Sequence, residues 1–117
     1  MMKEECVFCK IAKGELKADK IKESNNFFAI RDINPKSKGH TLIIPKKHFV
    51  TLLDMNNNLG EELIKFMKDA ASELLEQKYG EGFNVIMNNL ECAGQIVKHA
   101  HFHIIPRKEG DGLRMIS

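Results

Sequence analysis

Eight residues near the end of the chain, His99, Ala100, His101, Phe102, His103, Ile104, Ile105 and Pro106, restrict its fold more than any other stretch. Histidine alternates there with apolar residues at a period of two, the period of a β-strand, whose successive side chains point to opposite faces. The pattern predicts a strand from about Val97 to Pro106, with His99, His101 and His103 in one row and Ala100, Phe102 and Ile104 behind them. Neighbouring imidazoles would stand about 6.5 Å apart. A helix would scatter the same rings at about 100° per residue. Such a row can bind a metal, can be a histidine-rich strand without chemistry, or can transfer groups. Neutral imidazole is a good nucleophile near neutral pH, and a second imidazole can move a proton, a combination that suits phosphoryl or nucleotidyl transfer.

The rest of the chain predicts what this strand packs against. Val7, Phe8, Ile11 and Ala12 fall at helical spacing before Gly14, giving a short helix over Val7 to Lys13. Strands are expected at Ile21 to Glu23, Phe27 to Ile33, His40 to Ile44 with Pro45 closing it, and Phe83 to Asn88. Leu59, Leu63, Ile64, Phe66, Met67, Ala70, Ala71, Leu74 and Leu75 form one apolar stripe of a long helix. Asn57 or Asn58 would cap it, Glu61 and Glu62 would complement its dipole, and Gly80 and Gly82 would end it. This order predicts an α+β fold: a five-stranded antiparallel meander with helices on one side, one short and N-terminal, one long and central. At 117 residues the chain makes one domain, 1–117, with mobile ends expected at 1–5 and 108–117.

Composition removes several classes of function. A net charge of +2, with lysines scattered and not interleaved with aromatics, argues against a nucleic-acid surface. No apolar run reaches the roughly 18 residues of a membrane span, and the charged start predicts a cytoplasmic protein. Three cysteines are an odd number for a disulfide scaffold. Cys6 and Cys9, as Cys-x-x-Cys, point to metal binding or to a redox pair, while Cys92 stands apart.

The alternating histidines followed by two apolar residues, with Ala93-Gly94-Gln95-Ile96-Val97 before them, resemble the motif of the histidine triad (HIT) family. Asp32-Ile33-x-Pro35 and Gly39-His40-x-Leu42-Ile43-Ile44-Pro45-Lys46-x-His48 resemble an earlier tract of that family. The resemblance runs from about Cys6 to Arg107 and implies the five-stranded antiparallel fold with a short and a long helix. It further implies a nucleotide hydrolase or transferase acting at the α-phosphate of purine nucleotide conjugates, such as adenylyl phosphoramidates or dinucleoside polyphosphates. His101 would be the nucleophile, His103 would contact the phosphate and shuttle a proton, and His40 would stand behind them. Chemistry adds that the attacking imidazole must be neutral, its other nitrogen donating to a fixed acceptor such as a backbone carbonyl.

By the same resemblance Asp32 would accept from the ribose hydroxyls, and Phe8, Leu16, Ile30 and Ile33 would flank the base. Asn88, Gly94, Gln95 and Ile96 would line ribose and phosphate, with His101 and His103 completing the AMP site. Phe8, Ile30 and Ile33 also read as plain core, Asp32 as a turn residue, and Asn88-Asn89 as turn chemistry. Ile96 stands where many members carry a serine or threonine hydroxyl, which leaves room for a zinc-stabilised nucleotide-binding or scaffold protein with vestigial catalysis. Cys6, Cys9, His48 and His99 match a structural zinc site found in some members, one ion per chain with no open position, so that the chemical step needs no cofactor. A homodimer is also expected, from the resemblance and from the need to cover an edge strand.

Overall fold

The computed structural model describes residues 5–115. Helix α1 spans Val7–Ala12. Strands β1 (Lys22–Glu23), β2 (Phe27–Arg31) and β3 (Thr41–Pro45) follow, then helix α2 (Gly60–Glu76), β4 (Gly82–Ile86) and β5 (Phe102–Arg107). Every strand pairs antiparallel with its neighbours in the order β1-β2-β3-β5-β4. The fold is therefore the α+β sheet expected, but not a simple meander, because β5 inserts between β3 and β4 and places the triad region near the centre.

The two helices cover opposite faces, not the single face expected. Phe27 and Ala29 of β2 point to α2, where Phe66, Ala70, Ala71 and Leu74 bury them together with Ile43, Phe102 and Ile104. Phe28 and Ile30, one step out of phase, point the other way and pack with Phe8, Cys9 and Ile11 of α1 and with Leu42 and Ile44. Continuous burial along β2 and β3 is thus the sum of two alternating patterns, each facing its own helix.

Local boundaries differ where a single residue overrides a pattern. β5 begins at Phe102 and not near Val97, so His99, Ala100 and His101 precede the strand and only His103 belongs to it. β2 stops at Arg31, two residues short of Ile33, and β4 at Ile86, two short of Asn88. Pro45 does not close β3 but joins it, pairing with Phe27. Neither asparagine caps α2: a 3₁₀ turn over Asn57–Leu59 leads straight into it, leaving Leu59 at the N-cap without a side-chain bond. Its C-terminus turns at Lys78, whose φ of 67° is left-handed, before either glycine is reached. Among the described residues no helix is long and apolar enough to cross a membrane. Of the expected mobile ends, residues 1–4 and 116–117 lie outside the described residues. In the stretch between, Arg107 donates to both carboxylate oxygens of Asp111 and to the Leu113 carbonyl.

Candidate active site and metal centre

Strand alternation assembles one half of the site. Ile30 and Leu42 are register partners, as are Leu42 and His103, so all three share the face toward α1. Two residues beyond Ile30 is Asp32, and two before Leu42 is His40, which places both on that face at the strand ends. The Asp32 N–H donates to the His40 carbonyl at 2.9 Å, extending the β2–β3 ladder past its last pair. His40 Nε2 then lies 2.9 Å from His103 Nδ1 and 3.4 Å from Asp32 Oδ2.

Hydrogen positions in this trio follow from one main-chain group. The Lys36 N–H can only donate, and it meets His40 Nδ1 at 3.0 Å. His40 therefore carries its proton on Nε2 and donates to His103 Nδ1. Neutral His103 must in turn hold its proton on Nε2, the nitrogen directed away from the trio. Asp32 Oδ1 is occupied by the Asn34 N–H at 2.9 Å.

The second half is built on α1. Cys6 is the N-cap of the helix, its Sγ accepting from the Cys9 N–H at 3.3 Å, so both sulfurs of the Cys-x-x-Cys face one side. Cys6 Sγ lies 3.2 Å from His99 Nδ1, and Cys9 Sγ 3.2 Å from His48 Nδ1 and 3.5 Å from His99 Nδ1. The four donor atoms all fall within 4.8 Å of one another. Around a tetrahedral zinc, sulfur and nitrogen ligands stand about 3.5 Å apart, so the set fits such an ion with little adjustment. Its wiring also fits. The His99 Nε2–H donates to the Pro45 carbonyl at 2.7 Å, leaving the Nδ1 lone pair toward the sulfurs.

Between the halves stands His101. Its Nδ1–H donates to the His99 carbonyl at 2.7 Å, so the lone pair of the neutral ring is on Nε2. Its ring centroid is 5.1 Å from that of His103, and Phe8 meets it edge-on at 5.2 Å. Burial lowers the affinity of every one of these rings for a proton. It pushes His99 down to about 4 against the opposing Pro45 bond. Burial and the neighbouring His101 and His40 push His103 to about 4, with Asp32 opposing. His40 and His101 are lowered as well, again by burial first. All of these imidazoles are neutral at pH 7, the form that can attack phosphorus or bind a metal.

The residues expected around a nucleotide are placed unevenly. Phe8 and Ile30 are buried in the cluster beneath α1, with Val97 packed against it, close to His101. Leu16 is 42% exposed, Ile33 91% and Ile96 88%, so these apolar side chains are available to a ligand and are not core. The Asn88 side chain lies below Gly94, whose φ of +94° requires glycine. Gln95 is 3% exposed, and both ends of its amide are committed to the main chain. Its Oε1 accepts from the Leu90 N–H at 2.7 Å, and its Nε2 donates to the Val50 carbonyl. It holds Leu90 at φ 75° and ψ 159°, a conformation rare for a branched side chain. The groups that sequence reasoning could not name are all main-chain: the carbonyls of Pro45 and His99 and the N–H of Lys36. Only the requirement that an attacking imidazole have a fixed acceptor behind it points toward one of them.

Comparison with known proteins agrees with this geometry. The sequence profile of the HIT domain matches residues 13–110. An uncharacterised HIT-like protein of Methanocaldococcus jannaschii is 46% identical over 92% of this chain and 82% of its own length. An adenosine 5'-monophosphoramidase of Candida albicans is 38% identical, over 89% of this chain and 71% of its own. The crystal structure of a zinc-bound histidine triad family protein from Mycobacterium smegmatis superposes with a TM-score of 0.89 at 36% identity, covering 97% of this chain and 83% of the other. With its sheet, its paired histidine clusters and these relatives in agreement, the chain belongs to the HIT family.

Proposed function

We propose that the protein hydrolyses, or transfers the nucleotidyl group of, purine nucleotide conjugates at the α-phosphate, by way of a nucleotidyl-histidine on His101. The observation that carries this reading is the 2.7 Å bond from His101 Nδ1–H to the His99 carbonyl, which leaves a neutral imidazole with its Nε2 lone pair available. That nitrogen attacks the α-phosphorus in line, a P–N bond forms, and the leaving group departs with the electron pair of its bond to phosphorus. His103 Nε2–H donates to a phosphoryl oxygen as charge builds there. Water then attacks the phosphorus, the P–N pair returns to His101, and the proton of the water passes to solvent. Asp32 accepts from the ribose, with Ile33 and Leu16 against the base and Phe8 and Ile30 beneath it. Gly94 and Asn88 shape the phosphate loop, and the part of Gln95 is to hold that loop in place.

The relative named as a monophosphoramidase supports a conjugate of AMP as substrate. Neutral His103 and the apolar Ile96 together provide no ready acid for an amine leaving group. A leaving group stable as an anion, as in a dinucleoside polyphosphate, needs none. Mixing the protein with diadenosine polyphosphate or with adenylyl-lysine, quenching in alkaline denaturant, which preserves a P–N bond, and mapping the adduct by mass spectrometry tests the reading. An adenylyl group on the His101 peptide supports it, and rates with the two substrates rank the leaving groups. Binding of AMP with no adduct and no turnover from either would favour a zinc-stabilised binding protein instead.

Zinc at Cys6, Cys9, His48 and His99 is supported by the donor set and by the zinc-bound relative. It would tie α1 to the sheet and stabilise the fold without contacting substrate. A homodimer is supported by β4, an edge strand with Phe83 and Val85 exposed, and by exposed Ile64 on α2. Sedimentation at micromolar concentration decides it, a monomer overturning the assignment.

A further inference from the structure

His99 belongs to both halves of the site at once. Its imidazole is anchored at Nε2 on the Pro45 carbonyl and faces Cys6 and Cys9 through Nδ1. Its own carbonyl, in the same residue, receives the His101 Nδ1–H. Strand pairing does not aim that carbonyl, because β5 starts at Phe102. What fixes it is the seating of the His99 ring, together with the Ala100 N–H on the Phe49 carbonyl at 2.7 Å, next in sequence to His48. Phe8, between the two cysteines, meets both rings edge-on, His99 at 5.7 Å and His101 at 5.2 Å. The donor cluster and the nucleophile thus share one fully buried peptide segment, His99–Ala100.

We infer that His99 is a positioning residue that couples occupancy of the Cys6–Cys9–His48–His99 cluster to the tautomer of His101. The inference rests on the nucleophilic role proposed for His101. With a metal drawing the four donors together, the His99 carbonyl stays on His101 Nδ1–H and the lone pair stays on Nε2. Without it, the two thiols and two imidazoles lose their common centre, and the bond from the Ala100 N–H to the Phe49 carbonyl, beside the freed His48, is left alone to orient the His99 carbonyl. The His101 ring then divides between tautomers, since free imidazole has no strong preference for a proton on Nδ1. One oriented hydrogen bond shifts such a ratio by roughly ten-fold, and turnover follows the reactive fraction. The nucleotide-facing residues Asp32, Ile33 and Leu16 are on other segments, so binding of AMP is largely unaffected. Metal supply would accordingly set the catalytic rate, not the affinity.

The test uses the full chain with ¹⁵N-labelled histidine, first loaded with zinc, then stripped with a chelator, then reloaded. Two-bond proton–nitrogen spectra read the tautomer of His101, assigned by its absence in His101→Asn. The loaded protein should show His101 protonated on Nδ1, the stripped protein a mixture, and reloading should restore the first pattern. In parallel kcat should fall about two-fold on stripping, as the reactive fraction drops from about nine-tenths to about half, while calorimetric AMP affinity stays unchanged. A His101 tautomer unchanged on stripping, with the His99 signals shifted, overturns the inference. If stripping unfolds the chain, Cys9→Ser at low temperature decides instead, because it empties the cluster but keeps the anchor of His99 on Pro45. Lost zinc with a mixed His101 tautomer supports the coupling, whereas lost zinc with the wild-type tautomer refutes it. Absence of turnover in every form would count against the nucleophile, and the spectra would still decide the coupling.

Discussion

Two clusters of side chains that could hold a metal flank His101, Cys6–Cys9–His48–His99 and Asp32–His40–His103. Each has donor atoms close enough to hold an ion, yet the main chain behind them is wired oppositely. In the first, a carbonyl stands behind His99 and takes its Nε2 proton, turning the Nδ1 lone pair inward. In the second, an N–H stands behind His40, takes up the Nδ1 lone pair, and turns the Nε2 proton inward. A ring that presents a proton to the centre of a cluster cannot ligate there unless its bond to the main chain is broken. The first cluster is arranged for a metal and the second for a proton. Side-chain type alone does not separate them, and one backbone dipole per ring does.

The contrast can be broken most forcefully at the residue between the clusters. His101→Ala should reduce turnover by about three orders of magnitude or more while AMP affinity stays within a few-fold, because the covalent route is removed and the ribose and base contacts are not. Steady-state kinetics beside calorimetry measures both, and retention of more than a few per cent of the wild-type rate would remove His101 from its role. Next in size is the loss of metal. Cys9→Ser should lower bound zinc from about one per chain to near zero and the melting temperature by roughly 10 °C, the equivalent of about 2 kcal/mol in a domain of this length. Asp32→Asn and His40→Asn should leave zinc content unchanged. If these two lost the ion and Cys9→Ser kept it, the assignment of the clusters would have to be exchanged.

A smaller effect separates them by pH. His103 falls from 6.5 to about 4 in the folded protein, so between those values the unfolded chain binds more protons than the native one. Its contribution to stability is complete above about pH 6.5 and declines as the pH drops toward 4. Denaturant unfolding across that window should show the decline in the wild type and a shallower one in His103→Asn. Equal slopes would show that His103 titrates alike in both states. The smallest effect concerns the backbone donor itself. Replacing the Lys36 N–H by an ester oxygen through semisynthesis should release the tautomer of His40 and lower kcat about five-fold, the worth of one hydrogen bond. Zinc content should not change, and an unaltered kcat would detach His40 from the reaction.

What could be read in the sequence and what could not divide along the same line. The alternation of His99, His101 and His103, the apolar stripe of α2 and the Cys-x-x-Cys announced the side chains, and the sheet with two helices followed from their periods. The alternation predicts a strand from Val97 and the ladder begins only at Phe102, because an alternating pattern looks the same whether or not a neighbour is there to pair with it. Residues 99–101 sit beside Phe49 and the cysteines, not on a ladder. The resemblance puts Gln95 beside ribose and phosphate, and no pattern in the sequence announces that its amide also bonds Leu90 and Val50 within the fold. Placing both helices on one face failed for a similar reason. A fully apolar strand such as β2 does not reveal that its odd and even residues face different partners.

The Gln95 clamp carries a consequence for how this protein can vary. Its amide joins Leu90 to Val50, residues 40 positions apart in the chain, and does so from a fixed count of five residues beyond Leu90. Leu90 is held in a strained conformation and Gly94 in one open to glycine, and turn bonds run from Ala93 and Gln95 back to the Leu90 carbonyl and from Gly94 to that of Glu91. The tract from Leu90 to Gln95 can therefore exchange letters at Glu91, Cys92 and Ala93, which face solvent, but it cannot change length. One residue added or removed would carry the amide past both of its partners and rotate everything that follows, His101 included. Exposed positions on the rim, such as Ile96, are free to vary, while the spacing that sets the place of His101 stays rigid.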